Sequence, residues 1–429
     1  MTIYCQLGGS QDVLCDFNLF IYNKLSNVKK AYLILIYGGR MKAIIVFITL
    51  LLTLVLSGSY YNDLEPEVID ARSEALGRTS ILSSQGANFI FNNPAMLSDL
   101  EHKEACLNTR IKFGKIKIDE IDYDGYSDTY DINKNIHLKF HGISYGMPYK
   151  LHNSQNYKIG LGIGYRAYYD YGSNYRIEES DLKINNHGGL NTLVFGAGCK
   201  YLDKLSGGIS LSVPFLSSGS SEIIEDGHTG YEGDATTSAT FVTFSGNYIF
   251  NEKYTVGLRI RSNFTLESES DYGHESIEVP AEFGLALKIQ PDEDHTIFAE
   301  YITRRYGEYS LGDRFENSGG GFSLRAGLET CVKNKVVRGG FFVQSIPEYE
   351  LTYDFEGNRI YDKTPATELG ITLGTEFKLK KDLSLDLFGM FSGFANSMEE
   401  YDYWDEIVSG KKTFSYYDFK IGSSLRYSF

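Results

Sequence analysis

Residues 368–393 read ELGITLGTEFKLKKDLSLDLFGMFSG. Leu369, Ile371, Leu373, Phe377 and Leu379 fall on one parity, and Gly370, Thr372, Gly374, Glu376 and Lys378 on the other. After Lys380-Lys381-Asp382 the alternation restarts, with Leu383, Leu385 and Leu387 against Ser384 and Asp386. A period of two makes each run a strand with one apolar face, and the polar turn between them makes a hairpin. In a soluble sheet the apolar face looks onto a core. The same habit recurs along most of the chain, which raises the question of what so many apolar faces are packed against.

Composition narrows the answer. The 429 residues include 33 Tyr, 27 Phe and 44 Gly but only 8 Pro, a mixture that suits an all-β protein. Mean hydropathy is slightly negative, which excludes an ordinary helical membrane protein. It does not exclude a transmembrane β-barrel, whose polar lumen and loops dilute the average.

Targeting sequence comes first. From Met41 the chain reads MKAIIVFITLLLTLVLSGS. Lys42 supplies a short positive region, Ala43 to Leu56 an apolar run, and Ser57 and Ser59 small residues at the −3 and −1 positions before Tyr60. The run has the length of a signal-peptide apolar region and is short for a membrane-spanning helix. Residues 41–59 are read as a secretory signal peptide, with an N-terminal anchor joined to AYLILIY as the alternative. Residues 1–40 are read as an upstream extension from a start codon placed too early.

The remainder, 60–429, carries 36 basic and 54 acidic side chains, a net charge of −18. An acidic exported chain has no electrostatic case for a nucleic-acid partner. Its three cysteines, Cys106, Cys199 and Cys331, are too few and too odd for a disulfide framework, with room for one bridge at most. No CxxC or Cys/His metal spacing occurs, so no metal or cofactor is expected. GxSxG is absent, and His137, His141, His187 and His295 are scattered, so no enzyme is expected. The acidic run of Glu399, Glu400, Asp402, Asp405 and Glu406, with Tyr401, Tyr403 and Trp404, reads as a solvated loop. A divalent cation shared with lipopolysaccharide phosphates is the alternative there.

Residues 60–103 are rich in small side chains, with a short helix expected near Ala71 to Leu76 and a turn at Asn92-Asn93-Pro94-Ala95. From residue 104 the pattern predicts about fourteen strands, near 104–123, 133–149, 157–175, 189–202, 205–220, 235–250, 254–270, 277–290, 295–309, 317–332, 335–350, 364–379, 383–396 and 413–429. Tight turns such as Asp203-Lys204 and Lys333-Asn334 alternate with long polar stretches: SSGSSEIIEDGHTGYEGD, YDFEGNRIYDKTPATE and NSMEEYDYWDEIVSGKK. Short turns on one side and long loops on the other mark an outer-membrane barrel. The apolar faces then meet lipid and the polar faces line a lumen. Val256, Leu258 and Ile260 go outward with Arg259 and Arg261 inward; Phe322, Leu324, Ala326 and Leu328 outward with Arg325 and Glu329 inward. Val337, Phe341 and Val343 likewise leave Arg338 inside, and Ile159, Leu161, Ile163 and Tyr165 leave Arg166 inside. Closure leaves no edge strand, which is why strands cross bilayers only as barrels.

At Asn93-Pro94-Ala95, followed by about fourteen strands, the chain resembles the FadL family of long-chain fatty acid and hydrocarbon transporters. IEVPAEFGLALKI (277–289) resembles that family's strand with a proline before a glycine-containing run. SLRAGLETCVKNKVVRGGFFVQSIPEY (323–349) is similar to its R-x-G…R-x-G…P hairpin, with Arg325, Arg338, Gly340 and Pro347 in place. The resemblance covers most of residues 70–429. It implies a small N-terminal hatch at 60–103 plugging a transmembrane antiparallel barrel of about 14 strands at 104–429, in the outer membrane of a Gram-negative-type bacterium. It implies passive uptake of a hydrophobic small-molecule ligand such as a long-chain fatty acid, with outer-membrane lipid as surroundings.

Under that resemblance Asn93, Pro94 and Ala95 shape the hatch turn, whether it moves or is only structural. Arg166, Arg259, Arg261, Arg325 and Arg338 are candidate lumen-lining residues, which either hold a carboxylate or pair with Glu300, Glu329 or Glu376. Phe419, Ile421, Leu425, Tyr427 and Phe429 share one face of the last strand. The terminal aromatics Tyr427 and Phe429 resemble the assembly signal read by the barrel-assembly machinery. Two features depart from the family. The hatch is short, and the third strand, KIGLGIGYRAYYDY, has three glycines but no proline where the family opens a lateral gate. The alternative function is a non-transporting scaffold or secretion-associated barrel that binds a protein partner.

Overall fold

A computed structural model of the chain describes residues 69–429, apart from 123–126, 151–155, 171–172, 178–181, 226–227, 271–272, 280, 306–319, 334, 354–358 and 402–407. The presumed signal peptide and the extension before it lie outside the described residues, as does the centre of the acidic run at 402–407.

Fourteen staves form one closed antiparallel barrel. They are β1 (Glu104–Asp122), β2 (Ser127–Tyr149), β3 (Tyr157–Asp170, then Ser173–Ile177) and β4 (Leu182–Tyr201). Next come β5 (Leu205–Pro214, then Ser218–Glu225), β6 (His228–Ser238, then Phe241–Asn251), β7 (Tyr254–Arg261, then Phe264–Ser270) and β8 (Gly273–Val279, then Glu282–Ile289). The last six are β9 (His295–Arg305), β10 (Gly320–Val332), β11 (Lys335–Tyr353), β12 (Arg359–Lys380), β13 (Leu383–Tyr401) and β14 (Val408–Ser428). Each stave pairs with its sequence neighbours, and β1 pairs with both β2 and β14, which closes the ring. No described helix is long and apolar enough to cross a membrane.

The opening stretch behaves as its alternation requires. Leu369, Ile371, Leu373, Phe377 and Leu379 are all exposed, Leu373 by 68%, while Thr372 and Glu368 on the other parity are buried. The same inside-out pattern recurs at Phe195, Ile209, Phe244, Ile260, Phe341, Phe391 and Ile421, all exposed. So much exposed aliphatic and aromatic surface is unstable in water and natural in hydrocarbon. Exposed Tyr149, Tyr157, Tyr201, Phe250, Tyr254 and Phe429 lie at the short-turn end of the staves, where an aromatic girdle belongs.

The three long polar stretches differ from expectation. Most of 217–234, 353–368 and 396–412 is strand rather than loop: β5 continues to Glu225, β6 starts at His228, β12 starts at Arg359, and β13 reaches Tyr401. Once two staves are in register, the backbone ladder continues without needing an apolar face, so composition alone understates the strand. At about 3.3 Å per residue the 22 residues of β12 span roughly 70 Å, whereas about 9–11 residues cross a bilayer. β12 therefore stands well clear of the membrane on the long-loop side.

Residues 69–103 fold against the inward faces of the staves. Helix α1 (Ala71–Ala75) starts at Asp70, whose carboxylate accepts hydrogen bonds from the Ser73 amide (2.9 Å) and hydroxyl (2.8 Å), an ordinary N-cap. A 3-10 turn (Gly86–Asn88), helix α2 (Phe89–Asn92) and a second 3-10 turn (Pro94–Asp99) follow, the last opened by Pro94 where a missing N–H costs nothing. Nearly every residue from 69 to 98 is buried. Small residues on the wall make the seat: a Cβ at Gly198 or Gly208 would run into the backbone of Pro94 and Ala95, and one at Gly327 or Gly340 into that of Leu76 and Gly77. Gly160, Gly162 and Gly164, the three glycines of β3, likewise face Leu97, Ile90 and Phe91.

Candidate functional site: a basic chamber beneath an aromatic cluster

Above the N-terminal segment the inward positions of β3 and β6–β10 converge on a small cavity of about 20 Å³. Its charged lining among the described residues is five arginines, Arg166, Arg259, Arg261, Arg304 and Arg325, and one carboxylate, Glu282. Glu282 is buried and central. Its oxygens lie 2.6 Å from Arg259 Nη2, 3.2 Å from Arg261 Nη2 and 2.9 Å from Arg304 Nη2, and Arg304 Nε also donates to it at 3.0 Å. Arg259 donates to the Ser80 hydroxyl (2.9 Å), and Arg166 to the Phe91 carbonyl (3.2 Å), so the N-terminal segment forms the floor.

Glu300 lies behind Arg325. It accepts from the Ser80 and Ile81 amides, both at 2.7 Å, and from Arg325 Nη1 at 3.4 Å. Arg325 Nη1 also donates to the Arg78 carbonyl at 2.9 Å. Among the described residues, five guanidiniums and the two carboxylates Glu282 and Glu300 meet here. Arginine is the side chain that tolerates such burial, because its charge is delocalised and its planar fork fits carboxylates in pairs.

The roof is apolar. Tyr168, Leu190, Ala239, Phe241, Phe264 and Val279 form one buried cluster. Arg166 lies 4.4 Å from the Tyr168 ring centre and Arg261 5.4 Å from it, cation–π contacts that join roof to chamber.

Arg338 is elsewhere. It lies near the short-turn end of β11, where it donates to Glu329 (2.6 Å) and Glu376 (3.1 Å) and pairs with Asp386. Arg72 of α1 completes that network with a two-pronged grip on Glu329, 2.8 and 2.7 Å. Four of the five arginines picked out in the sequence therefore meet in the chamber and the fifth anchors α1. Glu282 and Arg304 were overlooked, although parity alone puts both on the inward face of their staves.

The Asn93-Pro94-Ala95 turn is clamped. Asn93 Nδ2 donates to the Ile81 carbonyl (2.6 Å) and to Asn247 (2.9 Å), and the Ala95 amide donates to the Ser245 hydroxyl (2.9 Å). Tyr427 and Phe429 sit at the end of β14, with the Phe429 amide bonded to the Lys103 carbonyl at 2.8 Å and the two rings 4.7 Å apart. Cys106, Cys199 and Cys331 are all free thiols, so the one bridge allowed by their number is not formed. Among the described residues no group of His, Cys, Asp and Glu is arranged to hold a metal.

Solved structures with this architecture exist. A Pseudomonas aeruginosa FadL homologue is 12% identical with a TM-score of 0.55, over 87% of this chain and all of that one. The Pseudomonas putida toluene transporter TodX is 15% identical with a TM-score of 0.52, over 86% of this chain and 99% of that one. The fold is that of the FadL-type transporters. The monoaromatic hydrocarbon channel CymD shares it at 13% identity and a TM-score of 0.50, over 86% of this chain and 99% of that one. No protein-family model and no curated protein sequence matches the chain. A closed FadL-type barrel with an apolar exterior is an outer-membrane protein.

Proposed function

We propose that the protein takes up hydrophobic small molecules with an anionic head across the outer membrane, long-chain fatty acids being the natural class. The observation that carries this is the pairing of two unlike surfaces: a small cavity lined by five arginines adjoins a buried aromatic cluster. A site of that kind matches an amphipathic anion. The cavity has room for one or two water-sized groups, which is the bulk of a carboxylate and far less than an alkyl chain. The head belongs among Arg166, Arg259 and Arg261, and the tail against Tyr168, Phe241 and Phe264. TodX is a toluene transporter and CymD a monoaromatic hydrocarbon channel, and the shared fold supports apolar cargo as the broader class.

Residues 69–103 act as the hatch in this reading. They close the route straight through the barrel, and their seating on wall glycines keeps a permanent aqueous pore from forming. The test is uptake into proteoliposomes of labelled oleate, toluene and a small sugar. Oleate is expected to enter faster than either, with the preference lost in R166A/R261A. Equal entry of oleate and sugar, or toluene uptake that exceeds oleate, would remove the anionic amphiphile as substrate.

A further inference from the structure

The rim at the short-turn end carries its charge unevenly. The turn between β8 and β9 is acidic, with Asp292, Glu293 and Asp294. The next turn around the ring, between β10 and β11, brings Lys333 and Lys335. The one after it, between β12 and β13, brings Lys378, Lys380 and Lys381 against Asp382. These two hairpins are neighbours, because β11 and β12 stay paired down to Val336 and Glu376, close to both turns. Paired staves lie about 4.8 Å apart, so the lysines of the two turns share one patch.

All five lysines are exposed, and among the described residues none of them is held in an ion pair. The carboxylates on the inward faces of the same staves do not offset them. Glu329, Glu376 and Asp386 are taken up by Arg338, with Arg72 also on Glu329. In an acidic chain, five open lysines beside a single aspartate are a local reversal of sign.

The height of the patch identifies what it meets. Val332, Val337, Phe377 and Leu379 are exposed on the outer wall beside it. Leu379 stands between Lys378 and Lys380 in the chain, so the hydrocarbon ends within a residue or two of the lysines. A lysine stem lies along apolar surface while its ammonium stays in the polar layer. The ammonium groups are therefore level with the headgroups of the periplasmic leaflet.

We propose that Lys333, Lys335, Lys378, Lys380 and Lys381 form a docking surface for anionic phospholipid headgroups of that leaflet. A lipid whose chains cover Val337, Phe377 and Leu379 carries its phosphate at the level of these charges. Lysine binds phosphate as a point charge on a flexible stem, so the patch gathers anionic headgroups without demanding one orientation. A zwitterionic headgroup brings its own cation and gains less. The acidic turn at 292–294 repels the same headgroups, which confines the enrichment to the arc from β10 to β13. The surface works on lipid whatever the barrel transports, so it goes beyond the uptake reading and does not rest on it.

The test uses the full-length protein in phosphatidylcholine bilayers, with Trp404→Phe removing the one native tryptophan. Leu379→Trp reports on the patch. Ile289→Trp, on the outward parity of β8 beside the acidic turn, is the control. Quenching by brominated phosphatidylglycerol is compared with quenching by brominated phosphatidylcholine at equal mole fraction. At about 0.1 M salt the phosphatidylglycerol is expected to associate at residue 379 at least about threefold more strongly than phosphatidylcholine, and no more strongly at residue 289. The preference at 379 should vanish when all five lysines are changed to Gln, and at about 1 M salt, where screening shortens to about 3 Å. The same lipid ratio at residues 379 and 289 would overturn the proposal and leave an acidic periplasmic protein as the partner to seek. That comparison needs no lysine variant, so it stands even where the fivefold variant fails to fold. A preference at 379 that survives the five glutamines in folded protein would also overturn it.

Discussion

Glu282→Gln gives the sharpest perturbation of the chamber. The glutamine is almost the same shape, so the change is one of charge. In the folded protein three guanidiniums converge on that carboxylate at 2.6, 3.2 and 2.9 Å, and it is fully buried. Removing one partner from a buried ion pair typically costs about 3–5 kcal/mol, because the remaining charge stays desolvated without its counter-charge. At about 2 °C per kcal/mol for a large domain, E282Q is expected to melt roughly 6–10 °C below the wild type. The loss should be partly reversible by ligand. With one carboxylate fewer, Arg259, Arg261 and Arg304 lose the counter-charge they share, and a bound anionic head replaces what was removed. An anionic amphiphile at a hundred times its dissociation constant stabilises by about 2.7 kcal/mol, more than half of the deficit. The assay is the loss of the compact, fast-migrating barrel on unboiled gels as temperature rises, with and without oleate, and with oleyl alcohol as the neutral control. Oleate should restore E282Q more than it shifts the wild type, and oleyl alcohol should not. A variant that melts with the wild type, or that responds equally to both lipids, would refute the view that Glu282 balances a cation-rich chamber.

Gly198→Ala places a methyl group against the backbone of Pro94 and Ala95, so a loss of about 1–3 kcal/mol and faster proteolysis within residues 69–103 are expected; unchanged protection would mean the turn is not seated there. Phe429→Ala separates packing from recognition: the ring is 66% exposed, so detergent refolding should weaken by about 1 kcal/mol or less, while assembly in cells falls sharply if the last aromatic is read by the assembly machinery. Equal losses in both assays would make Phe429 a packing residue only. Burial pushes the Asp70 carboxyl above its ordinary value of 3.8, against bonds from Ser73 and Ser84 and the nearby charge of Arg72. A raised folded-state value means stability rises as pH falls toward 3.8 and is lost as pH climbs through the raised value. The melting temperature of the wild type relative to D70N should therefore increase from pH 7 to pH 4, and a flat difference would show that Asp70 titrates normally.

Much of the architecture is legible in alternation. Leu369 to Leu379, Val256 to Ile260 and Phe322 to Leu328 name their outward face without reference to any structure, and Arg166, Arg259, Arg261, Arg325 and Arg338 follow as their inward neighbours. Parity fails at breaks. Phe264 reaches the lumen only because residues 262–263 interrupt its stave, and nothing in Ser262-Asn263 announces which way the chain resumes. Which arginines share a chamber depends on stagger between staves far apart in sequence, so Arg338 looked equivalent to Arg325 until the ring was closed. The polar extensions of β5, β6, β12 and β13 were hidden for a different reason: backbone pairing holds them, and pairing leaves little trace in composition.

The central claim is that an anionic head rests among the arginines while its tail lies against the rings. A structure of the protein with bound oleate tests it most directly. The account predicts a carboxylate within hydrogen-bonding distance of Arg166, Arg259 or Arg261, with the first methylenes beside Tyr168 and Phe241. Oleate found with its carboxylate in bulk solvent, or only on the lipid-facing exterior, would contradict it.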